Sequence, residues 1–168
     1  MKPFSIVFAS IEDDSDLRIT DFSLARRLDL DENTGRPLPH KIQCLSGTIE
    51  FLSPEMIECT YASSATDCWG VGIIAYMLIT GGKSPFYGGN RFRTMARILT
   101  CNYELESLPE LRYISSDAKH FIQSLLAIDP RQRMSASACL EHPWLSAEGV
   151  VDTLYTLETG WMKQLLAR

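Results

Sequence analysis

The chain has 168 residues, 45% hydrophobic and 22% charged, with a formal net charge of −5, ordinary figures for one soluble globular domain with a substantial core. The acidic balance argues against a nucleic-acid partner, because phosphate-binding surfaces concentrate Lys and Arg. The longest apolar run, Trp69 to Ile79, is too short to span a bilayer and is interrupted by Gly70 and Gly72.

Met1-Lys2-Pro3 is followed by a short apolar run soon broken by acids, a pattern unlike a secretory leader. Ile6-Val7-Phe8 and Leu17-Arg18-Ile19-Thr20 predict a small β-hairpin around the acidic loop Glu12-Asp13-Asp14-Ser15-Asp16. From Asp21 to Glu55 the chain is rich in turn formers, notably Asn33-Thr34-Gly35-Arg36-Pro37-Leu38-Pro39, and has no periodicity; it reads as a loop or lid.

Helical patterns follow. Ser63, Ser64 and Thr66 offer capping hydroxyls before Trp69 to Ile79, which is apolar on every side and is therefore expected at the centre of the fold. Gly81-Gly82-Lys83-Ser84-Pro85-Phe86-Tyr87-Gly88-Gly89 ends that helix in a loop. Arg91 to Thr100 carries Phe92, Met95, Ile98 and Leu99 at helical spacing. Ser115-Ser116-Asp117 opens another helix with Phe121, Ile122, Leu125 and Leu126 facing inward, and Ser135 caps a shorter one through Leu140, stopped by His142-Pro143. Cys44, Cys59, Cys68, Cys101 and Cys139 have neither close pairs nor metal-ligand spacing. They read as reduced thiols, mostly small buried hydrophobes, of a cytoplasmic protein.

Several signatures then line up in one order. Asp21-Phe22-Ser23 and Gly47-Thr48-Ile49-Glu50-Phe51-Leu52-Ser53-Pro54-Glu55 resemble the two ends of a protein-kinase activation segment. Thr66-Asp67-Cys68-Trp69-Gly70-Val71-Gly72, Ser84-Pro85-Phe86, Asp129-Pro130-Arg131-Gln132-Arg133 and Leu140-Glu141-His142-Pro143-Trp144-Leu145 are similar to later kinase motifs. The chain is thereby identified as resembling the C-terminal lobe of a eukaryotic Ser/Thr protein kinase, without an N-terminal lobe. Ile73 to Leu78, Phe121 to Leu126 and the Glu50-Phe51 pair place it in the calmodulin-dependent group, near the death-associated, myosin light-chain and giant muscle kinases. The implied fold is mostly α with a short β-hairpin, a partial kinase domain over residues 1–145 and a tail over 146–168.

What the resemblance implies is ATP- and Mg²⁺-dependent phosphorylation of protein Ser/Thr, a reaction that depends on positioning and charge neutralisation. Asp21 corresponds to the metal-binding aspartate; a turn residue is the plain alternative. Lys2-Pro3-Phe4-Ser5 matches the end of the catalytic loop: Lys2 would steady the transferring phosphate, or else be a solvated lysine. Ser5 stands where the second metal ligand is Asn, and Ser23 where the family has Gly, which restricts the backbone switch at that point. On the family spacing the catalytic Asp falls before Met1, as do the Gly-rich loop and the strand lysine, so the 168 residues alone are expected to be inactive.

Thr48 matches the threonine beneath the acceptor, and Gly47, Thr48, Glu50 and Phe51 would dock substrate. Glu55 and Arg133 correspond to a buried structural ion pair, and Asp67 would brace the catalytic loop or simply cap its helix. His40, His120 and His142 are read as non-catalytic. Trp161, Leu165 and Leu166 with Lys163 and Arg168 resemble the start of a regulatory helix and of a calmodulin target, although a plain surface helix accounts for the same residues.

The expected partners are protein substrates or a regulatory protein. A kinase-like binding module without catalysis is the alternative function. Part of the apolar face of Trp69 to Ile79 is further expected to lie open to water.

Overall fold

A computed structural model describes residues 1–10, 15–42, 46–105 and 114–146. The 146–168 tail beyond Ser146, Cys44 and most of the acidic hairpin loop lie outside the described residues. Strand β1 (Ile6–Phe8) pairs antiparallel with β2 (Leu17–Ile19), Ile6 opposite Ile19 and Phe8 opposite Leu17. The lid contributes a one-turn 3₁₀ helix at Phe22–Leu24, strand β3 (His40–Lys41) and a second 3₁₀ turn at Ile49–Phe51. Helix α1 (Pro54–Ile57) follows, then strand β4 (Tyr61–Ala62), which pairs antiparallel with β3.

The helical layer is α2 (Ser64–Ile79), α3 (Arg91–Leu99), α4 (Ser116–Leu125), α5 (Ala136–Leu140) and α6 (Pro143–Ser146). Each of the first four starts where a side chain accepts from a free main-chain N–H. Ser63 caps α2, with Thr66 returning the bond to the Ser63 N–H at 3.1 Å. Asn90, Ser115 and Ser135 cap α3, α4 and α5 in the same way.

Helix α2 forms the axis of the core. Trp69, Ile73, Tyr76, Met77 and Ile79 are buried against Phe121, Ile122, Leu125 and Leu126 of α4 and its end. Gly72 permits that approach: a Cβ there would stand 2.8 Å from the Leu125 Cβ and 2.9 Å from Leu126 Cδ2. Trp69 stacks on Phe86 at 5.3 Å, and Tyr103 meets both Phe86 and Tyr76 edge-on.

This packing narrows the expected open face on α2 to one partly open stripe. No apolar residue of the helix is exposed; Val71, Ile74 and Leu78, one stripe at helical spacing, are half-buried. Exposed apolar side chains gather instead on the hairpin and just after it, at Phe4, Phe8, Leu17, Ile19, Phe22 and Leu24. The alternation of a three-residue strand cannot bury both faces without a second layer, and only Ile6 of the two strands is even half-buried. No helix among the described residues is long and apolar enough to cross a membrane.

Candidate active site

The hairpin, the start of the lid and the head of α2 enclose a cleft of about 850 Å³. Lys2, Ser5, Asp21, Ser23, Thr48 and Asp67 all line it. Lys2 lies just before the 3₁₀ turn Pro3–Ser5, whose proline at the first position pre-sets the turn. That turn is tied to the end of β2 by the Thr20 N–H, which donates to the Ser5 carbonyl at 2.7 Å. Lys2 and Asp21, far apart in sequence, therefore meet: Lys2 Nζ is 3.2 Å from Asp21 Oδ2.

Asp21 has φ 57° and ψ 64°, the left-handed region that aspartate tolerates better than most residues. Its other oxygen, Oδ1, accepts from the Ser23 hydroxyl at 2.6 Å. The Ser23 bond first, and then Lys2, hold the Asp21 carboxyl below the usual carboxylate range. Ser5 is buried at the floor, whereas Thr48 is exposed at the rim.

Thr48 stands at the head of the 3₁₀ turn Ile49–Phe51. Before it, Gly47 adopts φ 111°, and a side chain there would press on Leu52. Of the docking residues named from sequence, Gly47 and Thr48 face the cleft with Phe51, but Phe51 is also packed against the buried core and Glu50 is half-buried. The turn Ile49–Phe51 packs on α2 and α3, with Phe51 against the buried core.

Asp67 projects from the first turn of α2 and accepts from the Met1 ammonium at 3.2 Å while remaining 71% exposed. Behind the cleft, Glu55 and Arg133 meet as a bidentate pair, Nη1 to Oε1 at 2.8 Å and Nη2 to Oε2 at 3.0 Å. Arg133 also donates to the carbonyls of Ala65, Ala127 and Ile128, and its guanidinium lies 5.1 Å over the Trp69 ring. Burial pushes the Glu55 carboxyl up, but the Arg133 bonds outweigh it and leave Glu55 below its usual value.

Sequence reasoning missed one polar cluster. The His142 ring stacks on His120 at 5.2 Å, with His120 Nδ1 and His142 Nε2 2.9 Å apart. The Trp144 main-chain N–H donates to His142 Nδ1 at 3.1 Å, so the His142 proton sits on Nε2 and is given to His120. The signal was the single turn between α5 and α6, which returns His142 to α4; neither histidine touches the cleft.

Among the described residues no three His, Cys, Asp or Glu side chains gather to hold a metal by themselves. The cleft nevertheless fits Mg²⁺ bound with a nucleotide. Mg²⁺ is commonly held by one or two carboxylates plus substrate phosphates, and Asp21, 43% exposed, offers such an oxygen beside a cationic lysine.

The protein kinase domain family matches residues 1–145. The chain belongs to the protein kinase family. The curated relatives it matches are named as myosin light chain kinases. Myosin light chain kinase family member 4 of Mus musculus and of Homo sapiens are each 42% identical over 146 residues, 87% of this chain and 35% of theirs. Myosin light chain kinase 2, skeletal/cardiac muscle, of Bos taurus is 39% identical over 130 residues, 77% of this chain and 19% of that protein. The chain thus spans about a third or less of the length of these curated relatives. In kinase terms the described residues make up the mostly helical large lobe with its short hairpin.

Proposed function

We propose that this chain supplies the metal-facing and acceptor-facing half of an ATP-dependent Ser/Thr protein kinase site. The single observation that carries the reading is the meeting of Lys2 and Asp21 at 3.2 Å in a cleft whose rim is Thr48. Bound Mg²⁺ and ATP supply the transferable phosphoryl group and the neutralising charge. Asp21 presents a hard oxygen to that cation, with Ser5 on the floor as a neutral second contact. Lys2 carries the positive charge that steadies a phosphoryl group in transfer, and Thr48 stands where an acceptor chain passes. Relatives named for myosin light chains support a protein acceptor rather than a small molecule.

Transfer in this family also uses a Gly-rich loop, a strand lysine and a catalytic Asp that these 168 residues do not carry, and by themselves they are expected to transfer no phosphate. The free thiols of Cys59, Cys68, Cys101 and Cys139 favour a cytoplasmic setting, and the tail beyond Ser146 is the segment on which a calmodulin-type regulator would act.

The test is phosphate incorporation into a basic Ser-containing peptide by the full-length product with Mg²⁺ and ATP. Asp21→Ala is expected to lower turnover about a hundred- to a thousandfold, the loss seen when a group stabilising developing charge is removed. Failure of the full-length product to label any peptide would refute the enzyme and leave the non-catalytic docking module.

A further inference from the structure

Asp21 is, with Asp67, one of two ion-paired carboxylates lining the cleft, and each of its oxygens has a side-chain donor. Lys2 takes Oδ2 at 3.2 Å and the Ser23 hydroxyl takes Oδ1 at 2.6 Å. The two donors differ in kind. Lys2 is a long side chain on a different segment, one that can swing away when another cation arrives. Ser23 lies two residues along the same turn, on the 3₁₀ helix Phe22–Leu24 whose backbone closes with the Ala25 N–H donating to the Phe22 carbonyl at 3.0 Å. Its hydroxyl travels with Asp21 and cannot leave without a change of rotamer.

We infer that Ser23 is a positioning residue for Asp21: its hydroxyl pins Oδ1 and orients the carboxylate so that Oδ2, where Lys2 now sits, would be presented to a divalent cation. The inference rests on the proposed kinase reading and deepens it. A carboxylate has more acceptor sites than these donors fill, so one hydroxyl on Oδ1 does not bar a cation from Oδ2. Hydrogen bonds of this kind to a ligating carboxylate fix its orientation, and their removal typically weakens metal affinity about 10–100-fold.

Ser23 therefore does more than restrict a backbone that glycine would free. Glycine or alanine at this position leaves Oδ1 without its side-chain donor and lets the carboxylate rotate about its side-chain torsions. Threonine keeps the hydroxyl. With the hydroxyl on Oδ1, Oδ2 would be the oxygen offered first to a cation, and the Lys2 ammonium would be freed for whatever anion accompanies the metal.

The experiment is a Mn²⁺ titration of the 168-residue chain in the presence of ATP, followed by paramagnetic broadening of the backbone amide signals of residues 20–24. The wild type is expected to broaden there with a definable midpoint, and Asp21→Asn to abolish the effect. Ser23→Ala and Ser23→Gly are expected to move the midpoint about tenfold higher in Mn²⁺, while Ser23→Thr stays near the wild type. Thermal midpoints measured without metal should be alike for all the Ser23 variants, which separates orientation from folding. Unchanged or tighter Mn²⁺ binding by Ser23→Ala, with Asp21→Asn still abolishing it, overturns the role of Ser23 and spares the kinase reading. Absence of any Asp21-dependent broadening in the wild type overturns the role given to Ser23 and the metal-facing role of Asp21, whereas the kinase reading stands or falls on the labelling assay.

Discussion

Arg133 is the residue whose surroundings are most completely specified. Every N–H of its guanidinium has an acceptor: both Glu55 oxygens and the carbonyls of Ala65, Ala127 and Ile128. The Arg133 side chain is 0% exposed and that of Glu55 5%. Thr66 adds a further bond to Glu55 at 3.0 Å, so the lid's end, the head of α2 and the loop after α4 are joined at one point. A point charge cannot reproduce this planar fork, which is why lysine is no conservative replacement. Arg133→Ala leaves a buried, unpaired carboxylate and is expected to cost ~3–5 kcal/mol in urea unfolding. Arg133→Lys should lose more than half of that, since it leaves the carbonyls and the Trp69 face unserved. A loss below about 1 kcal/mol for Arg133→Ala, the range of an exposed pair, would show that the pair does not hold the lid.

Among the elements, the contact of α2 with α4 decides how tightly the lobe closes. Gly72→Ala gives up to ~1 kcal/mol of helix propensity, but the new Cβ would sit 2.8 Å from the Leu125 Cβ, an atom fixed to the backbone of α4. Relief requires the helices to separate, and overpacking of that sort costs ~1–3 kcal/mol. The upper end applies, because neither Cβ can rotate away, and the net expectation is about 2 kcal/mol of destabilisation by thermal or urea melting. An unchanged or raised midpoint would mean that the helices stand further apart in solution.

The helices were the legible part of this fold. Ser63, Ser115 and Ser135 are capping hydroxyls placed before runs with helical periodicity, and each caps a helix. The β3–β4 pair was illegible because His40–Lys41 and Tyr61–Ala62 are too short to show alternation. The same brevity hid α1 and α6. At the site, residue types suggested Asp21 and Lys2 only through their order among kinase motifs; no local pattern brings two segments together. Ser23 was read for its backbone alone, since a side-chain rotamer that reaches Asp21 leaves no trace in spacing. On α2 the open part is only one stripe, because α4 and the aromatic cluster around Phe86 cover the rest of the helix.

For the molecule as a whole, acid stability follows from where its depressed carboxyls lie. Asp21, Asp31 and Asp129 are all held below their usual value, by Ser23, Thr34 and Arg131 hydrogen bonds respectively, but these groups are open to solvent and their contributions are screened. Glu55 is different, being buried on Arg133 and depressed from 4.5. A carboxyl with a lower value in the folded than in the unfolded state binds fewer protons when folded. Its stabilisation is complete above the unfolded value, roughly 4.3, and is lost as pH falls through the lower folded value.

The thermal midpoint should therefore change little between pH 7 and about 5 on account of Glu55, then fall steeply below about 4. Salt near 1 M should flatten the part owed to the exposed aspartates, because screening reaches them and not the buried pair. Glu55→Gln separates the contributions. It lowers the plateau at pH 7 and removes the steep part of the acid limb, since the amide takes up no proton. Differential scanning calorimetry of both proteins from pH 7 to 3 measures this directly, and parallel acid limbs for the two would show that the proton goes elsewhere.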